Sequence, residues 1–305
     1  MSFLELCNMQ ATLFIMILAG VILKKKGIID AAGERNLTDL CICLVIPCNI
    51  IKSCFIEFDS SIFSACFALF VSGVAMEAIG MVLNKFLYNG FTEQKKKVLQ
   101  YATVVSNGGF LGNPIAEGIY GSLGLLYASV YLIPVRVVVW STGTSYFMAG
   151  SSMDKKKVLL NILTHPCLVS VYIGLFIMFT QLPLPSSVKS AIIYIGNCNS
   201  ALTMFIVGTI LAEINVFTIF DKDVLLFSIL RLGLLPLVSY GMSLMLHLNA
   251  TATGVSVMMA GMPAAATTAI FAARYDSDAP FATKVVILTT LLSMLTVPIW
   301  CYFVS

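Results

Sequence analysis

The sequence predicts an all-α membrane protein of ten transmembrane helices, arranged as two inverted five-helix repeats. Three observations predict it. First, 59% of the 305 residues are apolar and only 11% are charged, where a soluble domain carries about 25% charged residues. No soluble core of this length needs so much apolar surface. Second, apolar stretches of about 20 residues, the length a bilayer-crossing helix needs, recur along the whole chain. Third, two of these stretches are interrupted by Gly-x-Pro, at Gly112-Asn113-Pro114 and, 149 residues later, at Gly261-Met262-Pro263.

The predicted segments run Leu6–Leu23, Asn36–Cys54, Ser61–Leu83, Val98–Tyr120, Leu123–Ala149, Val158–Gln181, Val188–Ala212, Val224–Leu246, Ala252–Ala273 and Phe281–Phe303. The first is read as a membrane helix and not a secretory signal. Its positive cluster, Lys24-Lys25-Lys26, follows the apolar run, and no small-residue cleavage site comes after it. Pro47, Pro166 and Asn197–Ser200 interrupt segments two, six and seven.

Lysines and arginines set the orientation. Fourteen of the eighteen lie in the loops after segments one, three, five, seven and nine. Lys52 and Lys189 are assigned to the opposite loops, and Arg136 and Arg231 fall within segments. The positive-inside rule therefore places the odd-numbered loops in the cytoplasm and both termini outside. Ten segments divide into residues 1–152 and 153–305, joined through the short basic stretch Met153–Lys157. With five helices each, the second set runs inverted relative to the first. The Gly-x-Pro breaks then fall in the fourth helix of each set, the pattern of inverted-repeat transporters.

A proline inside a helix removes one backbone hydrogen bond and clashes with the preceding turn. In a bilayer the freed groups survive only where protein or a water-filled cavity satisfies them. The fourth and ninth segments run in opposite directions and can cross near the bilayer centre. A half-helix starting after each proline would point unpaired N–H groups and partial positive charge at one midplane site, with Asn113 as an N-cap. That arrangement favours an anion, most simply a carboxylate. The candidate substrate-binding residues are Asn107, Gly112, Asn113, Pro114, Gly261, Pro263, Thr267 and Thr268, with Arg136 as counter-charge. The threonine hydroxyls serve either a ligand or their own helix.

Charges inside membrane segments are costly and usually face a cavity or a partner. Glu117, one turn beyond the first break, either carries a coupling proton or pairs with Arg136. Glu77 is the second coupling candidate. Arg231 is expected to reach the headgroups along its aliphatic stem. Asn197, Asn199 and Ser200 sit roughly where Pro47 and Asn49 sit in segment two. They either line the substrate path or bond between helices. The nine cysteines and two histidines show no metal-ligand spacing. The cysteines read as small packing residues.

The run Asn107-Gly108-Gly109-Phe110-Leu111-Gly112-Asn113-Pro114 resembles the N-x-G-F-x-G-x-P signature of the auxin efflux carrier family, which includes plant auxin exporters and bacterial permeases for malate or related acids. Gly261-Met262-Pro263-Ala264-Ala265-Ala266, followed by Ala273-Arg274-Tyr275, resembles its second signature. The stretches Lys25–Ile29, Asn36-Leu37 and Thr289–Trp300 are also similar to its members. The resemblance spans the chain. It implies the fold shared with bile-acid/sodium symporters: a panel-like scaffold domain, a mobile core domain with crossed helices, elevator-type alternating access, and a homodimer. Asn113 stands where an aliphatic residue is expected, and Arg136 where neutral polar residues are. Both departures favour a small, more highly charged acid over auxin. Without a long central cytoplasmic loop the chain resembles the compact bacterial forms.

The function expected is secondary active transport of small organic anions, probed against the alternative of a passive channel or uniporter for a small polar solute. No H-E-x-x-H, P-loop or G-x-S-x-G motif points to an enzyme, and no basic arm with interleaved aromatics points to nucleic acid. No cofactor is expected beyond a coupling ion, Na+ or H+. The expected location is the plasma membrane, with lipid and a small organic acid as partners.

Overall fold

The computed structural model describes residues 3–57, 59–147, 155–212 and 221–304. Their regular elements are helices: α1 (Phe3–Lys25), α2 (Ala31–Ser53), α3 (Ser60–Leu87), α4 (Glu93–Val104), α5 (Gly108–Val138), α6 (Lys155–Leu163), α7 (Pro166–Thr180), α8 (Ser186–Asn197), α9 (Asn199–Ala212), α10 (Lys222–Met245), α11 (Ala250–Ala260), α12 (Thr267–Arg274) and α13 (Ala279–Val304). A wide turn over Val139–Gly143 carries α5 on into Thr144–Phe147. The boundary between residues 152 and 153, and the start of the basic connection there, lie outside the described residues.

Short polar side chains start several helices by accepting an otherwise orphaned N–H. Asp30 accepts from Gly33, Asp59 from Ser61, Asp221 from Asp223 and Asn249 from Ala252, opening α2, α3, α10 and α11. His165 does the same for α7, its Nδ1 accepting from the Cys167 N–H.

Three of the prolines inside the long helices are accommodated by one recurring device. A π-type turn precedes each of Pro47, Pro114 and Pro236, at Cys41–Val45, Gly108–Gly112 and Leu230–Leu234. In each, the residue just before the proline donates five residues back, to Cys41, Gly108 or Leu230. The extra residue opens the turn where the pyrrolidine ring would otherwise strike a carbonyl. In α10 the Leu232 carbonyl, four residues before Pro236, instead accepts the Trp300 indole N–H at 2.8 Å.

Among the described residues, seven helical stretches are long and apolar enough to cross a membrane: Asn8–Lys25, Ala31–Ser53, Ser60–Leu87, Gly108–Val138, Ser186–Ala212, Lys222–Met245 and Ala279–Val304. Pro166–Thr180 and Ala250–Ala260 are shorter apolar helices. Predicted segment four does not form one helix. α4 covers its first half, and α5 carries its second half on into segment five, bent at Gly121 with φ 64° and ψ −156°. Segment nine is likewise divided between α11 and α12.

The helices pack as two groups. In one, α1 lies along α9, and α2 packs on α7 and α8. In the other, α3 packs on α5, α11 lies between α5 and α10, and α13 covers α10, α11 and α12. A buried apolar cluster including Leu69, Ile115, Leu126, Tyr127, Met258 and Met259 fills the second group and runs on into the first through Leu13, Ile17, Met204 and Val207. Ser72, Ser256 and Ser239 cross it, with Ser256 3.0 Å from each of the other two hydroxyls. The groups meet where α5 touches α2 and α9, and where α1 touches α13.

The first helix break does not fall where its proline suggests. Pro114 and Asn113 lie inside a continuous helical path that starts at Gly108, and Asn113 has helical angles (φ −59°, ψ −48°) with no capping bond. The first break is at Val105–Asn107, ahead of the proline. The second break spans residues 261–266 and holds Pro263, as expected, but its half-helix starts at Thr267 instead of at the proline. The wide turn explains the first shift: it takes up Gly108, Gly109 and Gly112 and lets Pro114 stay within the helix, so the break falls just upstream, at residues 105–107.

Candidate functional site

The two breaks meet each other. The Asn107 N–H donates to the Pro263 carbonyl at 2.8 Å, and the Ala265 N–H donates to the Val105 carbonyl at 3.2 Å. Ser106 and Ala264 lie paired between these bonds, antiparallel. Each break thus satisfies backbone groups that the other exposes, as an apolar surrounding demands. The Ala264 N–H donates to Thr289 Oγ1 at 3.2 Å, and the Asn107 carbonyl accepts from Leu111 and Gly112.

Arg231 completes this joint. Its Nε donates to the Met262 carbonyl at 2.8 Å and its Nη1 to the Thr103 carbonyl at 2.7 Å. Thr103 lies in the last turn of α4, and Met262 follows the end of α11. Both ends carry the negative pole of a helix, and one buried guanidinium serves both. Arg231 is only 5% exposed, so it does not reach outward to headgroups as its place near a helix end suggested. Glu77 on α3 is buried with its Oε2 unpartnered, within electrostatic reach of Arg231.

A second polar region lies on the next turns of α5, where the two helix groups touch. Glu117 and Asn113 are one helical turn apart on one face. Lys52 of α2 donates to Glu117 Oε1 at 2.5 Å, and Asn49 Nδ2 donates to Glu117 Oε2 at 3.1 Å. Lys52 also donates to Asn197 Oδ1 at 2.9 Å, at the end of α8. Asn199 opens α9, which packs on the Gly108–Gly112 turn. Both side-chain polar atoms of Asn113 and of Asn199, and Asn49 Oδ1, are buried without a hydrogen-bond partner.

The remaining candidates are placed as follows. Asn107 is buried and binds the second break through its backbone. Gly112 packs under Met259 and Met262, leaving no room for a side chain, and Gly261 ends α11 against Pro236. Thr267 accepts from Tyr101 at 2.9 Å, while the buried Thr268 hydroxyl has no partner. Arg136 turns back along its own helix to the Ser129 carbonyl at 3.4 Å. Glu117 therefore pairs with Lys52 and not with Arg136. Sequence reasoning missed Lys52, which fell inside the predicted second segment yet was assigned to a loop. A lysine one turn from Asn49 and Pro47 was the available signal. It also missed the buried role of Arg231.

Comparison with known proteins agrees with this architecture. The family model for membrane transport proteins matches residues 6–301. An uncharacterized transporter of Methanothermobacter thermautotrophicus is 26% identical over 98% of this chain and 99% of its own length. An uncharacterized transporter of Methanocaldococcus jannaschii is 23% identical over 94% of both chains. The Escherichia coli K12 uncharacterized transporter YfdV is 25% identical over 64% of this chain and 63% of its own. The chain is a multi-span membrane transporter and belongs to the membrane transport protein family, that of the auxin efflux carriers and their permease relatives.

Proposed function

We propose that this protein is a secondary transporter of small organic anions, carboxylates in particular, working by alternating access at the contact between α5 and the α2–α8–α9 group. The observation that carries this reading is the set of buried amides without partners, Asn113 and Asn199, beside the Lys52 ammonium. Buried polar groups are almost always hydrogen-bonded, so amides left open beside a cation suit a polar anionic ligand. The start of α5 supports it. The first N–H groups of a helix have no intrahelical acceptor, and a Cβ placed on Gly109 would meet nothing within 4 Å.

The antiparallel pairing of the breaks suits two five-helix repeats, 1–152 and 153–305, that run in opposite directions. The division of the helices into two groups suits an elevator-type movement of the α3–α5 and α10–α13 group against the other. Lysine placement puts both termini outside the plasma membrane. The candidate ligand set is Asn107, Gly112, Asn113, Pro114, Gly261, Pro263 and Thr268 with Lys52, and Glu117 and Glu77 are the candidates for coupling to H+ or Na+. The assembly read from the family is a homodimer.

Reconstitution into liposomes tests the proposal. A panel of labelled mono- and dicarboxylates should show saturable flux with counterflow, reduced at least about tenfold by Asn113→Ala, a loss of ~1.4 kcal/mol of binding. No flux across the panel with folded protein, or unitary channel currents instead, would overturn it.

A further inference from the structure

We propose that Lys52 and Asn49 form a carboxylate clamp, and that Glu117 occupies this clamp as an internal competitor which the substrate's carboxylate displaces. The inference rests on the organic-anion reading and names the residues and ligand class of its site.

The geometry is that of a carboxylate already recognised. The two oxygens of Glu117 are held by two different donors of one neighbouring helix: Oε1 by the Lys52 ammonium at 2.5 Å, Oε2 by the Asn49 amide at 3.1 Å. Asn197 fixes the ammonium from a third helix at 2.9 Å. Any free carboxylate presented to α2 meets the same pair of donors. Lys52 has three N–H bonds to give, and its side chain is 14% exposed, Glu117's 22%, with Asn197 exposed beside them. The pair can therefore be reached.

The neighbouring amides define the rest of the ligand. Asn113 lies one turn before Glu117, about 5–6 Å along α5, and offers both a donor and an acceptor that nothing in the fold takes up. Its side chain is fully buried. An acid whose carboxylate sits in the clamp and whose second oxygen function reaches Asn113 satisfies both. The class is a small hydroxy acid or dicarboxylate.

The exchange would also change how the two helix groups are tied. Lys52 belongs to the α2 group and Glu117 to the α5 group, so their bond is a strap across the contact. A substrate carboxylate that takes Glu117's place removes the strap while keeping the lysine neutralised. Binding would thereby loosen the contact that must slide during transport.

The test uses the full-length protein in detergent, following thermal stabilisation by acetate, succinate and malate. Glu117→Gln should lower the half-saturating malate concentration by about tenfold or more. Adding Lys52→Met should remove the response in either background, while Lys52→Arg retains it. Lys52→Met/Glu117→Gln removes both charges together and so avoids stranding one of them; it serves as the folded control. Malate should act at lower concentration than acetate, and Asn113→Leu should erase that difference. The inference falls if Glu117→Gln binds no more tightly than the unmodified protein, or if the double variant binds as well as Glu117→Gln. Acid flux by the unmodified protein in liposomes, with unchanged affinities across these variants, would overturn the clamp and leave the transport reading standing. No acid bound by either the unmodified protein or Glu117→Gln, and no flux, would overturn both.

Discussion

Two regions within about three turns of α5 treat their polar groups in opposite ways. At the crossing, the Asn107 and Ala265 N–H groups, the Val105 and Pro263 carbonyls and the Met262 and Thr103 carbonyls all have partners. Directly after the wide turn, the Asn113 side chain has none, and one turn on Glu117 is held across a contact between helix groups. A satisfied network rigidifies, whereas open buried amides cost stability. The difference marks the first region as a joint and, on the proposed reading, the second as the ligand site. Substitutions in the joint should therefore lower stability, and substitutions in the site should lower transport while sparing it.

The largest expected effect is at Arg231. Arg231→Met strips two carbonyls of a charged donor and leaves Glu77 buried without its cation. A loss of about 3–5 kcal/mol is expected, as when one partner of a buried ionic network is removed. Arg231→Lys should recover only part, because an ammonium cannot reproduce the fork that reaches both carbonyls. Denaturant unfolding in detergent measures it. A variant as stable as the parent would mean the crossing holds without its cation, and the contrast with the site would dissolve.

A smaller effect of opposite sign is expected at the site. Asn113→Leu replaces unpartnered polar atoms with an apolar group of similar size, so stability should hold or rise by about 1 kcal/mol while acid flux falls. Asn199→Leu should behave the same way. A drop in melting temperature at either position would show that the amide is structural, and would merge the two regions into one.

The smallest effect sets the scale for surface charge. Lys95 on α4 donates to Asp223 on α10 at 2.6 Å, with both side chains about a third exposed. The bond to Asp223 holds the Lys95 ammonium above the usual lysine range. Its contribution is therefore complete at neutral pH and fades only as pH climbs through that raised value. A double-mutant cycle with Lys95→Ala and Asp223→Ala should give under about 1 kcal/mol and shrink in salt. A coupling as large as that at Arg231 would show that burial is not what separates the joint from the surface.

The sequence made the apolar helical segments legible because apolar runs are local signals. It also showed that two segments must break, since Gly and Pro act on their own backbone. It did not show where the first of them breaks. Pro114 sits in a helix because a five-residue turn opens ahead of it, and that turn depends on packing beneath Met259 and Met262. The fate of Arg231 was hidden for a related reason. Distance to a helix end gives a side chain's depth, but not whether it faces lipid or another helix's carbonyls. Lys52 and Glu117 are 65 residues apart, and their pairing exists only once α2 lies against α5. Asn113 was legible as a polar residue in an apolar run, but its lack of a partner was not.

The joint between the breaks has a consequence for descent. Its two central bonds, Asn107 to Pro263 and Ala265 to Val105, use main-chain atoms that nearly every amino acid carries. The donors at 107 and 265 need only avoid proline, and the acceptors tolerate any residue at all. Mutational drift can rewrite the letters at these two bonds without touching the bonds themselves, whereas Arg231 ties the crossing through its side chain. Relatives 23% and 26% identical across almost the whole chain can differ at most of these positions with no penalty to such a tie. Selection on the lettering is then free to act further along α5, at the proposed ligand site, so that one inherited frame could be retuned from one cargo to another.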